Sequence, residues 1–93
     1  MSDATVGRAF RVIGVVQGVG FRWFCREIAT QTGTSGWVAN MSDGSVHGEV
    51  FGRGEAVSNF LAEIARGPTL GRVERIDSSE VEPQSMTGFK IRK

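Results

Sequence analysis

The sequence predicts an α+β sandwich: an antiparallel sheet with two helices packed on one of its faces. Three observations lead to that class. Hydrophobic periodicity switches between 2 and 3.6 residues in the order β-α-β-β-α-β. Thirteen glycines among 93 residues are about twice the usual ~7% share, and Gly14, Gly18, Gly20, Gly33, Gly36, Gly44 and Gly67 sit at junctions. One Asp-Gly hairpin signal, Asp43-Gly44, separates the two central strands.

The elements follow in chain order. Residues 1–7 are small and polar and are expected to be frayed. Arg8 to Val16 reads as a strand, because Phe10 and Val12 alternate with Ala9, Arg11 and Ile13. From Phe21 the period becomes helical. Phe21, Phe24, Cys25 and Ile28 form one apolar stripe over about 22–32, with Gly33 as the stop. Gly36 to Met41 is the second strand, Ser42 to Ser45 the turn, and Val46 to Phe51 the third strand. Glu55 to Arg66 is a helix whose stripe is Val57, Phe60, Leu61, Ile64 and Ala65. Gly67-Pro68 ends it. Arg72 to Val81 is a fourth strand in which Val73 and Ile76 break alternation, the mark of a bulge. Phe89 and Ile91 predict a short last strand. This order is that of the ferredoxin-like α/β sandwich, βαββαβ. The length predicts one domain, residues 1–93. The fold by itself implies no activity.

Composition removes several classes. Eleven Lys and Arg against ten Asp and Glu leave a net charge of +1, which argues against a nucleic-acid partner. No apolar run reaches the ~20 residues of a membrane span. Met1-Ser2-Asp3-Ala4 shows neither half of an export signal, so a cytoplasmic location is expected. Cys25 is the sole cysteine. That fits a reducing compartment and excludes an intramolecular disulfide and any multi-thiolate metal site.

The stretch Gly14-Val15-Val16-Gln17-Gly18-Val19-Gly20-Phe21-Arg22 joins a strand to a helix through a glycine-rich turn. Peptide N–H groups of such a turn can converge on an anion, and the start of the next helix adds partial positive charge. A guanidinium in that first turn, here Arg22, can grip two phosphate oxygens in a fork. The same string also reads as a plain tight turn followed by a solvated arginine. It is not a P-loop, which needs Gly-Lys-Ser/Thr. It is not a dinucleotide fingerprint either, because Trp23 stands where the third glycine is required. Asn40, at the end of the second strand, offers a donor and an acceptor without ionising. It suits the orientation of a water molecule, and equally a strand end bonded to local backbone. His47 is expected as a surface strand residue and Cys25 as a buried inert thiol. Glu55 and Glu63 read as solvated helix residues, and Trp23 and Trp37 as packing side chains.

The string Gly14-x-Val16-Gln17-Gly18-Val19-Gly20-Phe21-Arg22 resembles the first signature of the acylphosphatase family. Gly36-Trp37-Val38-x-Asn40-x-x-Asp43-Gly44-x-Val46 resembles the second. Gly67-Pro68, Val73 and the Phe89-x-Ile91 ending extend the likeness over about residues 8–92, the length of a free-standing member. The resemblance implies hydrolysis of the carboxyl–phosphate bond of a small acyl phosphate, with no metal and no cofactor. Inorganic phosphate is then product and inhibitor, and the enzyme is expected to be a monomer. It further implies that Arg22 and the backbone of Gln17, Gly18, Val19, Gly20, Phe21 and Arg22 bind the phosphoryl group, and that Asn40 positions the attacking water. Thr32 and Thr34 replace aliphatic residues usual in the family, so a looser helix–strand junction is expected there. Three rivals stand beside this reading. They are a non-catalytic ferredoxin-like module that binds a small anion, an RNA binder on the open sheet face, and an accessory domain of a larger carbamoyl-phosphate-using enzyme.

Overall fold

A computed structural model describes residues 4–92. The order is β1 (Thr5–Val15), α1 (Phe21–Thr32), β2 (Ser35–Asn40), β3 (Val46–Arg53), α2 (Gly54–Ile64), β4 (Arg72–Val81) and β5 (Phe89–Arg92). The strands form one sheet in the order β4-β1-β3-β2-β5. Alternation along β1 and β3 sends Phe10, Val12, Val46 and Val50 to the helix side. There they meet Phe21, Cys25, Ile28 and Ala29 of α1 and Val57, Phe60 and Ile64 of α2. Phe60 lies between the rings of Phe10 and Phe89, at centroid distances of 5.6 and 5.5 Å. Each of these large side chains contributes roughly 1.5–3 kcal/mol by leaving water.

The sheet is mixed, not antiparallel as expected. β5 runs parallel to β2, with Trp37 opposite Lys90 and Ala39 opposite Arg92. The chain leaves β4 at one edge of the sheet and crosses to the other edge. It re-enters at the end where β2 starts, so the two strands run the same way. The first strand also begins earlier than its composition suggests. Thr5, Val6 and Gly7 are paired with Arg53, Gly52 and Phe51, and Gly7 with Val81 on its other side. Partners on two strands hold a segment whose own residues give no such signal. Residues 1–3 of the expected frayed start lie outside the described residues.

The irregularity in β4 is present. Ile13 faces Arg75 and Gly14 faces Val73, which leaves Glu74 unmatched. Gly14 has φ 143°, and a Cβ there would overlap the carbonyl of Arg72. At the α1–β2 junction the Thr32 hydroxyl donates to the Ile28 carbonyl at 2.8 Å and lies 3.1 Å from the Thr34 hydroxyl. Thr34 is buried. Both threonine hydroxyls thus take part in hydrogen-bonding contacts at this junction.

Candidate active site

The site is built where β1 ends, β2 ends and α1 begins, all at one end of the sheet. Val16 and Phe21, each 1% exposed, pin the two ends of the connecting loop into the core. Between them Gly18 and Gly20 adopt left-handed conformations, φ 74° and 78°. No described atom lies within 4 Å of where a Cβ would stand at either glycine. Conformation, not crowding by the protein, therefore requires glycine, and both positions face open space. Gly20 is the N-cap of α1, no side chain caps the helix, and its first turn holds no acidic residue. The partial positive charge of the helix start is left without a neutralising group.

Gln17 ties this loop to the β2–β3 turn. Its Nε2 donates to the carbonyl of Met41 at 2.7 Å and to that of Ser45 at 2.9 Å. The donor side of its amide is thereby committed to the scaffold. Arg22 is half-buried, and its Nη1 donates to the carbonyl of Arg92 at 3.1 Å. Arg92 pairs with Ala39, so the guanidinium stands beside the last residues of β2. Arg92 is itself held over Trp37, its guanidinium carbon 4.6 Å from the ring centroid. Trp37 Nε1 donates to Glu49 Oε1 at 3.1 Å. Asn40 closes β2 opposite Val46. Its Oδ1 is buried and has no hydrogen-bond partner among the described residues, so local backbone does not satisfy it. Arg22 and Asn40, eighteen positions apart in sequence, thus reach the same end of the sheet beside the glycine loop.

A brace behind the site carries no signal in the sequence beyond its turn residues. Arg11 Nη2 meets Asp43 Oδ2 at 2.9 Å. Asp43 Oδ1 accepts from the Ser45 N–H at 2.9 Å and from the Ser45 hydroxyl. Hydrogen bonds from Ser45, and then the nearby Arg11 charge, lower the Asp43 carboxyl to about 2. Ser45 is also the residue whose carbonyl receives Gln17, so the brace and the loop share one anchor. The hold of Arg92 on Arg22 could not be found from residue type, because its acceptor is a main-chain carbonyl.

The remaining sequence candidates lie apart from the site. His47 follows core-facing Val46 and so lies on the other face of the sheet, opposite Arg11. Cys25 is fully buried, and burial pushes its thiol far above the ordinary range. Trp23 is not a packing residue: it is 60% exposed, with the Arg26 guanidinium 3.9 Å above its ring. Glu55 is exposed and Glu63, partly buried, lies 3.7 Å from Arg66. Among the described residues no group of three His, Cys, Asp or Glu stands together as a metal site. A concavity of about 550 Å³ lies at the opposite end of the sheet, lined by Thr5–Arg8, α2 and Val81–Pro83.

The model of the acylphosphatase family matches residues 8–91. The chain belongs to the acylphosphatase family. The acylphosphatase of Thermotoga petrophila is 43% identical over 82 residues, covering 88% of this chain and 91% of that protein. The crystal structure of acylphosphatase from Bacillus subtilis superposes with a TM-score of 0.91 at 30% identity, covering 95% of this chain and 99% of that one. Full-length HypF, solved in a phosphate- and nucleotide-bound form, matches at a TM-score of 0.90 and 34% identity. That match covers all of this chain and 12% of HypF. The acylphosphatase fold therefore stands in these proteins both nearly alone and within a much longer chain. Both family signatures lie inside the matched segment. The first forms the glycine loop with Arg22 and the second forms β2, the turn and Asn40.

Proposed function

We propose that this member of the acylphosphatase family hydrolyses small acyl phosphates to a carboxylate and inorganic phosphate, with Arg22 and the loop amides holding the phosphoryl group and Asn40 aiming the water. The observation that carries the assignment is the convergence of an uncapped, glycine-led helix start, Arg22 bonded to the strand beside β2, and Asn40 at the end of β2 with its side-chain amide unpartnered among the described residues. An amide oxygen taken out of water without a partner costs free energy. With Oδ1 closed to solvent, the Asn40 side-chain Nδ2, which is neither buried nor hydrogen-bonded among the described residues, is the atom that can meet a water and fix its orientation.

The chemistry asks for little more. The leaving group is a carboxylate, whose conjugate acid has a pKa of roughly 4, so it departs with its electron pair and no general acid is required. Phosphoryl transfer passes through a loose transition state with charge on the equatorial oxygens. Catalysis then consists of holding the group, aiming the nucleophile and stabilising that charge. Arg22 and the amides of residues 17–22 do the first and third. Asn40 does the second. The water's oxygen bonds to phosphorus as the P–O bond to the acyl group breaks, and a phosphoryl oxygen takes the water's proton. The reaction so drawn uses no metal and no cofactor. Inorganic phosphate, the product, occupies the same cradle and competes with substrate.

We read the whole chain as one such domain, acting as a monomer in the cytoplasm. A lone buried thiol supports the reducing compartment, and no helix among the described residues is long and apolar enough to cross a membrane. Release of carboxylate from benzoyl phosphate by the purified protein tests the assignment. Phosphate binding without turnover would make the protein an anion-binding module instead.

A further inference from the structure

Four large hydrophobic side chains are exposed among the described residues: Val15, Trp23, Met41 and Leu70, at 52, 60, 39 and 79%. All four lie at the cradle end of the sheet. Val15 is the last residue of β1, and Met41 follows β2, which runs in the same direction as β1. Leu70 comes just before Arg72, the residue paired with Val15, and Trp23 is in the first turn of α1. Isolated exposed apolar side chains are ordinary, but a group confined to one end marks a contact surface.

Their positions about the cradle differ. Trp23 is engaged by Arg26. Met41 follows Asn40 directly and so shares the side from which the water approaches. Val15 and Leu70 stand at the β1–β4 corner, on the other side of the loop. Leu70 is presented by a closed turn: the Gly71 N–H donates to the Pro68 carbonyl at 3.0 Å. Gly71 lies against Val15, whose carbonyl oxygen would be 3.1 Å from a Cβ there. The segment Gly67-Pro68-Thr69-Leu70-Gly71 carries no charge.

In-line displacement puts the leaving oxygen opposite the attacking water. With the water held at Asn40 on β2 and the phosphorus over the loop that leaves β1, the acyl group points away from β2. In the strand order β4-β1-β3-β2-β5 that direction is the β1–β4 corner. We propose that Val15 and Leu70 form an apolar rim that receives the acyl group, so that the site prefers acyl phosphates with an aromatic or branched apolar acyl chain. This rests on the function proposed above. Contact with this part of the substrate, away from the reacting atoms, strengthens binding and leaves the phosphoryl chemistry to the cradle.

The test compares benzoyl phosphate with acetyl phosphate, whose methyl group is too short to cover the rim. Leu70→Ser alters an exposed turn residue, and Val15→Thr keeps the branched shape of a strand residue. The double variant should lower kcat/KM for benzoyl phosphate by about five- to tenfold through KM, the loss of a few buried methyl and methylene contacts. Acetyl phosphate should change by less than about twofold, and the inhibition constant of inorganic phosphate should not move. Equal losses on both substrates, or no loss on either, would overturn the rim. Absence of hydrolysis of either substrate by the unaltered protein would instead overturn the function on which it rests.

Discussion

The side-chain amide of Gln17 donates to the main-chain carbonyl of Met41 at 2.7 Å, and through that bond the loop that would hold phosphate is fastened to the residue next to Asn40. A second bond from the same nitrogen, to Ser45, completes the clasp. The glycine loop and the β2–β3 turn, distant in sequence, are thereby fixed relative to each other. Gln17→Ala should therefore damage both halves of the reaction. With two hydrogen bonds of about 1 kcal/mol each lost, kcat/KM should fall by roughly ten- to thirtyfold, with KM rising and kcat falling together. Steady-state kinetics on benzoyl phosphate reads this directly.

Arg22→Ala should remove phosphate binding and lower kcat/KM by at least about a thousandfold, the scale set by arginines that stabilise phosphoryl-transfer charge. Arg22→Lys should restore little. A compact ammonium can neither fork two oxygens nor keep the guanidinium's contact with the Arg92 carbonyl. Calorimetry with inorganic phosphate and activity assays on both variants check it.

The Asp43 brace gives stability a defined acid limb. The folded-state carboxyl is lowered to about 2, against ~3.9 for an unfolded aspartate. A depressed folded value means that the stabilisation is complete above the unfolded pKa. It is then lost as pH falls from about 4 to about 2. Because the group is exposed, the effect is small and weakens with salt. Denaturant titrations from pH 5 to pH 2 should show a shallower decline in Asp43→Asn than in the parent protein.

Cys25 should be inert in the native state. Its side chain is fully buried and its thiol is held far from ionisation by burial, and the thiolate is the reactive form. Modification by a disulfide reagent should follow the rate of global unfolding and become immediate in denaturant. Fast modification of the native protein would show that α1 opens locally.

What the sequence revealed and what it hid divide along the reach of the interactions. The glycine loop was legible because Gly18 and Gly20 need positive φ, a property of the residues themselves. The β4 irregularity was legible for a similar reason, since an extra residue at Glu74 displaces the alternation of Val73 and Ile76. For Arg22 and Asn40 the local sequence left a plain structural reading open beside the functional one, and it is the two family strings that favour the functional one. The parallel pairing of β5 was not legible, because a strand as short as Phe89–Arg92 does not encode its neighbour. The partner follows from where the chain crosses after β4. The true start of β1 at Thr5 depends likewise on β3 and β4 partners remote in sequence. Trp23 misled because its size suggests a core position, while its place in α1 turns it outward to Arg26.

The division of labour between Arg22 and Asn40 is tested most directly by Asn40→Ala, measured for turnover of benzoyl phosphate and for competitive inhibition by inorganic phosphate in the same preparation. If Asn40 aims the water and the loop holds the anion, kcat should fall by about 10²–10³-fold, as for loss of one aligned transition-state contact. The phosphate inhibition constant should stay within about twofold. Undiminished turnover, or a collapse of phosphate affinity alongside it, would contradict the assignment.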